Sequence, residues 1–116
     1  MPESTLPLLV GNSIADVGIE YVELLKIEAD PNEVIYIGDI RIDINDTTTK
    51  PLITIRLNGV QYLKDFSLIS ATTTFGFGRN FKCNNDKKPL VIHIKKSTGA
   101  LNASAFVTGI RKPLKT

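Results

Sequence analysis

The feature that most constrains this chain is an alternation of apolar and polar residues with a period of two. Ile40, Ile42 and Ile44 alternate with Arg41 and Asp43, and Ile53, Ile55 and Leu57 alternate with Thr54 and Arg56. Leu90, Ile92 and Ile94 alternate with Val91, His93 and Lys95. Successive side chains of a strand point to opposite faces, so each run predicts a strand with one face buried and one wet. Parallel strands are buried on both faces, so the pattern is an antiparallel one. The branched Ile, Val and Thr side chains of these runs also suit a pleated surface better than a helix.

Turn chemistry divides the strands. Asp30-Pro31-Asn32 separates a strand around Tyr21–Glu28 from one around Glu33–Ile37, and Gly38-Asp39 marks a bulge or short turn where the alternation restarts. Asn58-Gly59, between Ile53–Leu57 and Val60–Leu63, is a strong hairpin signal. Lys64-Asp65 leads to a strand over Phe66–Thr72, Cys83–Pro89 reads as a polar loop, and Ser97-Thr98-Gly99 is a further turn. A last strand runs from about Ala103 to Ile110, ahead of Pro113. Over Ile19–Ala29, Val22, Leu25 and Ala29 would share a helical face, but Ile19, Tyr21 and Glu23 fit a strand about as well. No clear cap opens that segment, so a strand is expected. Roughly eight or nine short strands at about 8–12-residue spacing predict an all-β antiparallel sandwich of jelly-roll type, spanning residues 19–116. Residues 1–18 carry Pro2, Pro7, Gly11, Gly18 and the apolar Leu6, Leu8, Leu9 and Val10 without lasting alternation. They are expected to form an extended N-terminal arm, bound by a neighbouring chain or by the domain's own flank.

Composition sets further bounds. With 116 residues, 42% of them hydrophobic, the chain suits one domain with a real core and is too short for two. Its apolar runs are about five residues long against the roughly 20 of a membrane-spanning helix, so no such helix is expected. The N-terminus has no signal-peptide pattern, which predicts a cytoplasmic product. One Cys makes no internal disulfide, and one Cys with one His builds no protein-only zinc site, so no cofactor is expected. A formal net charge of +2 hides an asymmetry: residues 1–78 hold 5 Lys/Arg against 11 Asp/Glu, a net of −6, and residues 79–116 hold 9 against 1, a net of +8.

The candidate chemistry is sparse. His93, on the wet face of its strand, would need a nucleophile and an orienting carboxylate to act as a base, and the sequence places neither beside it. Cys83 lies near Lys82 and Lys87, which would lower a thiol pKa, but it has no sequence partner. Asp39, Asp43, Asn45 and Asp46 are the oxygen-rich group best suited to calcium; Thr47 and the missing Gly break the calcium-loop spacing, and a solvated strand end is expected, with no metal. Phe75-Gly76-Phe77-Gly78-Arg79 is half of a dinucleotide fingerprint without its third Gly or its helix. With Phe81 and Lys82 it is also the one aromatic-basic cluster, for which core packing of Phe75 and Phe77 is the competing reading. The Lys-x-Thr-Gly-like stretch at Lys96–Gly99 lacks its Ser-x-x-Lys companion, and an enzyme is not expected.

The charge division has three readings: cancellation within one domain, a contact between an acidic and a basic surface of neighbouring copies, or an anionic partner for the basic third. A near-neutral chain argues against nucleic acid as that partner. In its short antiparallel strands, its Leu6–Val10 arm and its lack of a catalytic set, the chain resembles the small jelly-roll decoration (cement) proteins of tailed-phage and other viral capsids. That resemblance implies a non-enzymatic structural protein on the capsid exterior. Its implied partners are a homo-oligomer, a trimer in that family, and a larger protein shell such as a major capsid protein; no membrane is involved. The surface expected to meet the partner comprises Leu6, Leu8, Leu9, Val10, Arg111, Lys112 and Lys115. The alternative is a carbohydrate-binding β-sandwich module, for which Tyr21, Tyr36, Tyr62, Phe75 and Phe77 are the available aromatics and no Trp is present.

Overall fold

A computed structural model describes residues 6–29, 33–57, 59–76, 82–83 and 89–113. Within them nine strands follow one another: β1 (Leu6–Ile14), β2 (Val22–Ile27), β3 (Glu33–Ile44), β4 (Leu52–Leu57), β5 (Val60–Ser67), β6 (Thr72–Gly76), β7 (Lys82–Cys83), β8 (Leu90–Lys95) and β9 (Ala103–Pro113). The only helical element among the described residues is a 3-10 turn over Thr47–Thr49. All described pairings are antiparallel, and they are nested like those of one long hairpin: β1 with β9, β2 with β8, β3 with β6, β4 with β5. Rolling that hairpin up adds the pairs β3–β9 and β4–β8, which yields two sheets, β1-β9-β3-β6 and β2-β8-β4-β5. This is a jelly-roll sandwich, with β7 as a short addition beside β3.

The alternation pays off between the sheets. Ile35, Ile37, Ile40 and Ile42 of β3 face Ile53, Ile55 and Leu57 of β4 and Leu90, Ile92 and Ile94 of β8, all fully buried. In β2 the period breaks, because Leu24 and Leu25 are both buried; the register shift between Glu23 and Leu25 is a bulge that turns the two successive leucines inward. The shift between Ile37 and Asp39 makes β3 one long strand, bulged where the sequence marked a turn or bulge. Opposite it the backbones come so close that a Cβ on Gly109 would sit 1.9 Å from the Tyr36 carbonyl oxygen, which leaves room for glycine alone.

Four connections gather at one end of the sandwich. Backbone bonds join the 15–21 connection to the one after β8 (Val17 N to Leu101 O, 2.9 Å; Lys96 N to Gly18 O, 2.9 Å). Others join the β3–β4 connection to its neighbours (Asn45 N to Asn102 O, 3.2 Å; Leu68 N to Pro51 O, 3.0 Å; Ser97 N to Thr49 O, 3.0 Å). Val17 and Leu101, both buried, cap the core beneath them. Thr49, the one buried polar residue among those described, donates its hydroxyl to the Asp46 carbonyl at 2.8 Å.

Four expectations change. Residues 6–14 of the expected arm are the edge strand β1, paired with β9 from Leu6↔Arg111 to Ile14↔Ala103, and Leu8 is in the core. The strand expected over Phe66–Thr72 is instead the end of β5, a loop at residues 68–71 and the start of β6. Lys64-Asp65 is not a turn: the ladder between β4 and β5 runs past it with a register shift, and Asp65 absorbs the irregularity at φ 50°. Lys82 and Cys83, the latter expected to open a polar loop, form β7; residues 84–88, Phe77 and Phe81 lie outside the described residues.

Candidate interaction surface

The topology splits the expected interface residues between two faces. Leu8 and Val10 point inward, Leu8 buried and Val10 packed on the core. Leu6 shares their register but is 60% exposed. Arg111 pairs with Leu6 on one side and Ile35 on the other, so it also belongs to the inward register. Its side chain is half-buried, with Nη1 4.0 Å from Glu33 and Nε buried without a hydrogen-bond partner among the described residues. Lys112 is half-buried beside Val34 on β3, and Lys115 lies outside the described residues.

The outward side of the same strands carries what the sequence did not single out. Leu9 is 71% exposed, and its neighbours across the β1–β9 ladder are Thr108 opposite, Phe106 opposite Gly11 and Ile110 opposite Pro7. Phe106 and Ile110 are themselves 44% and 41% exposed. A Cβ on Gly11 would lie 2.6 Å from the Phe106 ring, so the ring reclines over Gly11 towards the free edge. Pro7, Leu9, Phe106 and Ile110 therefore form an apolar strip along that edge. Beside it, β3 turns Asp39 and Arg41 outward, Arg41 opposite Phe106, and with Leu9, Phe106, Thr74 and Thr108 they line a shallow depression on the same face. No charged residue occurs in β1.

Remaining candidates resolve into structural contacts. Asp46 caps the 3-10 turn, accepting from the Thr48 backbone at 2.9 Å and hydroxyl at 2.6 Å, and these bonds lower its pKa, the hydroxyl first. Asp43 pairs with Arg41 at 3.2 Å and accepts from Thr72 at 2.7 Å, while Asn45 accepts from the Asn102 backbone at 2.8 Å. Among the described residues no three of His, Cys, Asp and Glu are grouped to hold a metal ion. His93 stands edge-on to Tyr21, ring centroids 6.5 Å apart, and Lys95 Nζ lies 4.7 Å from the same ring. The Tyr21 hydroxyl donates to Asp65, and the phenol pKa is raised, chiefly by burial and then by that bond. The sequence hides this cluster, because β5 and the connection before β2 meet only through the fold. It clips that connection to the outer face of the second sheet. Phe75 is half-buried and stacks edge-on with Phe66 at 5.3 Å, closing one side of the sandwich, which is the core-packing reading of the aromatic cluster. The opposite side is tied by Asn12 Nδ2 donating to the Leu24 carbonyl at 2.8 Å. Tyr36 lies in β3 of the first sheet and Tyr62 in β5 of the second, while Tyr21 lies in the connection before β2.

Strand order mixes the first and last parts of the chain: β9, with Arg111 and Lys112, lies between β1 and β3, and β8, with Lys95, lies between β2 and β4. Arg79, Lys87, Lys88 and Lys115 of the basic last part lie outside the described residues.

No family model matches the chain, and no curated protein matches it. Among solved structures it is similar to a chain of the disulfide-linked pili of Bacillus endospore appendages, with 16% identity, 99% of this chain and 93% of that chain covered, and a TM-score of 0.52. It is more loosely similar to a de novo designed double-stranded β-helix, with 12% identity, 85% and 97% covered and a TM-score of 0.37. Another loose similarity is to the VP2 subviral particle of infectious bursal disease virus, with 13% identity, 97% of this chain but 38% of that chain covered, and a TM-score of 0.43. At such identity the first likeness is one of fold alone. No helix among the described residues is long and apolar enough to cross a membrane.

Proposed function

We propose that the protein is a non-enzymatic structural subunit that self-associates and is built onto a larger protein shell, the capsid exterior being the setting its family resemblance implies. The observation that carries this reading is the uncharged edge of β1 with the exposed apolar strip of Leu9, Phe106 and Ile110 beside it. Among the described residues no strand lies beyond β1, and an edge so placed is a template for pairing with another chain, blunted here by Pro7 alone and by neither charge nor bulge. Contiguous apolar surface at such an edge marks a place of contact rather than of solvation. The pilus chain that shares the fold is itself a repeated subunit of an assembly, which agrees with this use of the scaffold. The non-enzymatic part of the reading is supported by the engagement of the candidate residues: His93 meets the Tyr21 ring, Asp46 caps the 3-10 turn and Asp43 pairs with Arg41.

Light scattering coupled to size exclusion tests the reading. The expected result is a mass that rises with protein concentration and changes little between low and high salt, because the edge carries no charge to screen. A monomer at every concentration and salt would overturn it.

A further inference from the structure

We propose that β1 pairs antiparallel with β1 of a second copy across a two-fold axis at Leu9, joining the two β1-β9-β3-β6 sheets into one. The inference rests on the self-association reading and specifies its geometry. Its occupant follows from the edges the fold exposes. The strand β2 has six residues, carries Glu23 and Lys26, and is bulged. The strand β5 carries Lys64 and Asp65 and shifts register twice. The strand β6 has only five residues. None of these matches the nine uncharged, unbulged residues of β1. The one described edge that does is β1 itself, and its lack of charge means that self-pairing opposes no like charges.

The register follows from the pleat. Residues opposite each other in an antiparallel pair share a face, so only pairings that set inward residues opposite inward residues keep the core closed. With Leu9 opposite its own copy, Leu8 lies opposite Val10 on the inner face and Pro7 lies opposite Gly11 on the outer face. This setting joins the apolar half of the strand to itself. It places the most exposed residue of β1, Leu9, at the axis, and the strips formed with Phe106 and Ile110 become continuous across both copies. Identical surfaces meeting this way close into a dimer rather than a fibre. The threefold assembly implied by the resemblance would need β1 to meet a different edge.

Cysteine cross-linking tests this in a Cys83→Ser background of the whole chain. Opposed residues of an antiparallel pair have Cα atoms about 4.5–5.5 Å apart, within disulfide range. Leu9→Cys is therefore expected to oxidise to a covalent dimer. Phe106→Cys lies on the same face but one strand further out and opposite Gly11, so its copy is three strand spacings across and four residues along, about 20 Å away, and it is expected to cross-link at least tenfold more slowly. Leu9 is largely exposed, so thermal unfolding of the reduced variant should match the parent. Cross-linking as fast through Phe106→Cys as through Leu9→Cys would overturn the edge pairing in favour of face-to-face stacking. An oligomer that forms without any Leu9→Cys cross-link would overturn the pairing and leave the self-association reading standing. A monomer throughout would overturn both.

Discussion

Two outer strands of the sandwich, β1 and β5, show opposite treatments of the same problem. Each ends a sheet among the described residues. Along β5, Lys64 and Asp65 place charges on the edge, two register shifts bend it, and Asp65 takes a left-handed conformation. Along β1 the ladder to β9 runs through nine residues without a shift, and no side chain is charged. The apolar residues of β5 that reach solvent, Val60, Tyr62 and Phe66, are set among polar ones, whereas Leu9, Phe106 and Ile110 lie together. Pro7 is the one such device on β1, whose edge is otherwise flat and apolar, and the proposed association rests on this difference.

That contrast can be broken or sharpened in several ways. The largest effect is expected from Leu8→Ala, because Leu8 is buried beneath β1; the loss should be about 2–5 kcal/mol in urea unfolding. Leu63→Ala in β5 should cost about half as much, since Leu63 is only half-buried against the core. Equal losses would mean that β1 and β5 are held alike. Next comes Leu9→Lys, which sets like charges opposite each other at the proposed axis. It should weaken association at least tenfold, about 1.4 kcal/mol, while unfolding of the monomer stays within about 0.5 kcal/mol of the parent. Sedimentation velocity over a concentration series reads this directly, and unchanged association would count against the edge.

A smaller effect concerns the clip on β5. Tyr21→Phe removes the hydrogen bond to Asp65 and should cost about 1 kcal/mol. Because the folded-state pKa of Tyr21 is raised, its contribution is present in full below the ordinary value of 10.0 and is lost as pH rises through the raised one. The gap in melting temperature between parent and Tyr21→Phe should therefore narrow only in strong alkali. The smallest effect belongs to Asp46, whose lowered pKa means that its cap is present above the ordinary value of 3.8 and lost as pH falls through the lowered one. Asp46→Ala should lower the melting temperature slightly at neutral pH and hardly at all in acid.

Much of this architecture is legible in the sequence, and the exceptions share a cause. The strands β3, β4 and β8 have one wet and one dry face, so their period is visible, and Gly38-Asp39 and Asn58-Gly59 announce a bulge and a hairpin by backbone chemistry. The strand β1 is invisible to the same reading because Leu9 is apolar on the outside as Leu8 and Val10 are on the inside. The alternation is erased by the same exposed Leu9 on which the proposed contact rests. Likewise Leu24 and Leu25 obscure β2, since a bulge turns both inward. The pairing decides which face each residue of the expected interface occupies. Leu9 is placed on open surface, while Leu8 and Arg111 are drawn into the inward register, and Phe106 and Ile110 join only because β9 lies beside β1. No local pattern links residues so far apart along the chain; the nested pairing does.

The most direct test of the central claim is hydrogen exchange of the β1 amides, read against those of β5 at low and high protein concentration. Covered by a second copy, the outward-pointing amides of residues 6–14 should exchange at least tenfold more slowly at high concentration, while those of β5 do not change. Exchange in β1 as fast as in β5, and independent of concentration, would contradict the account.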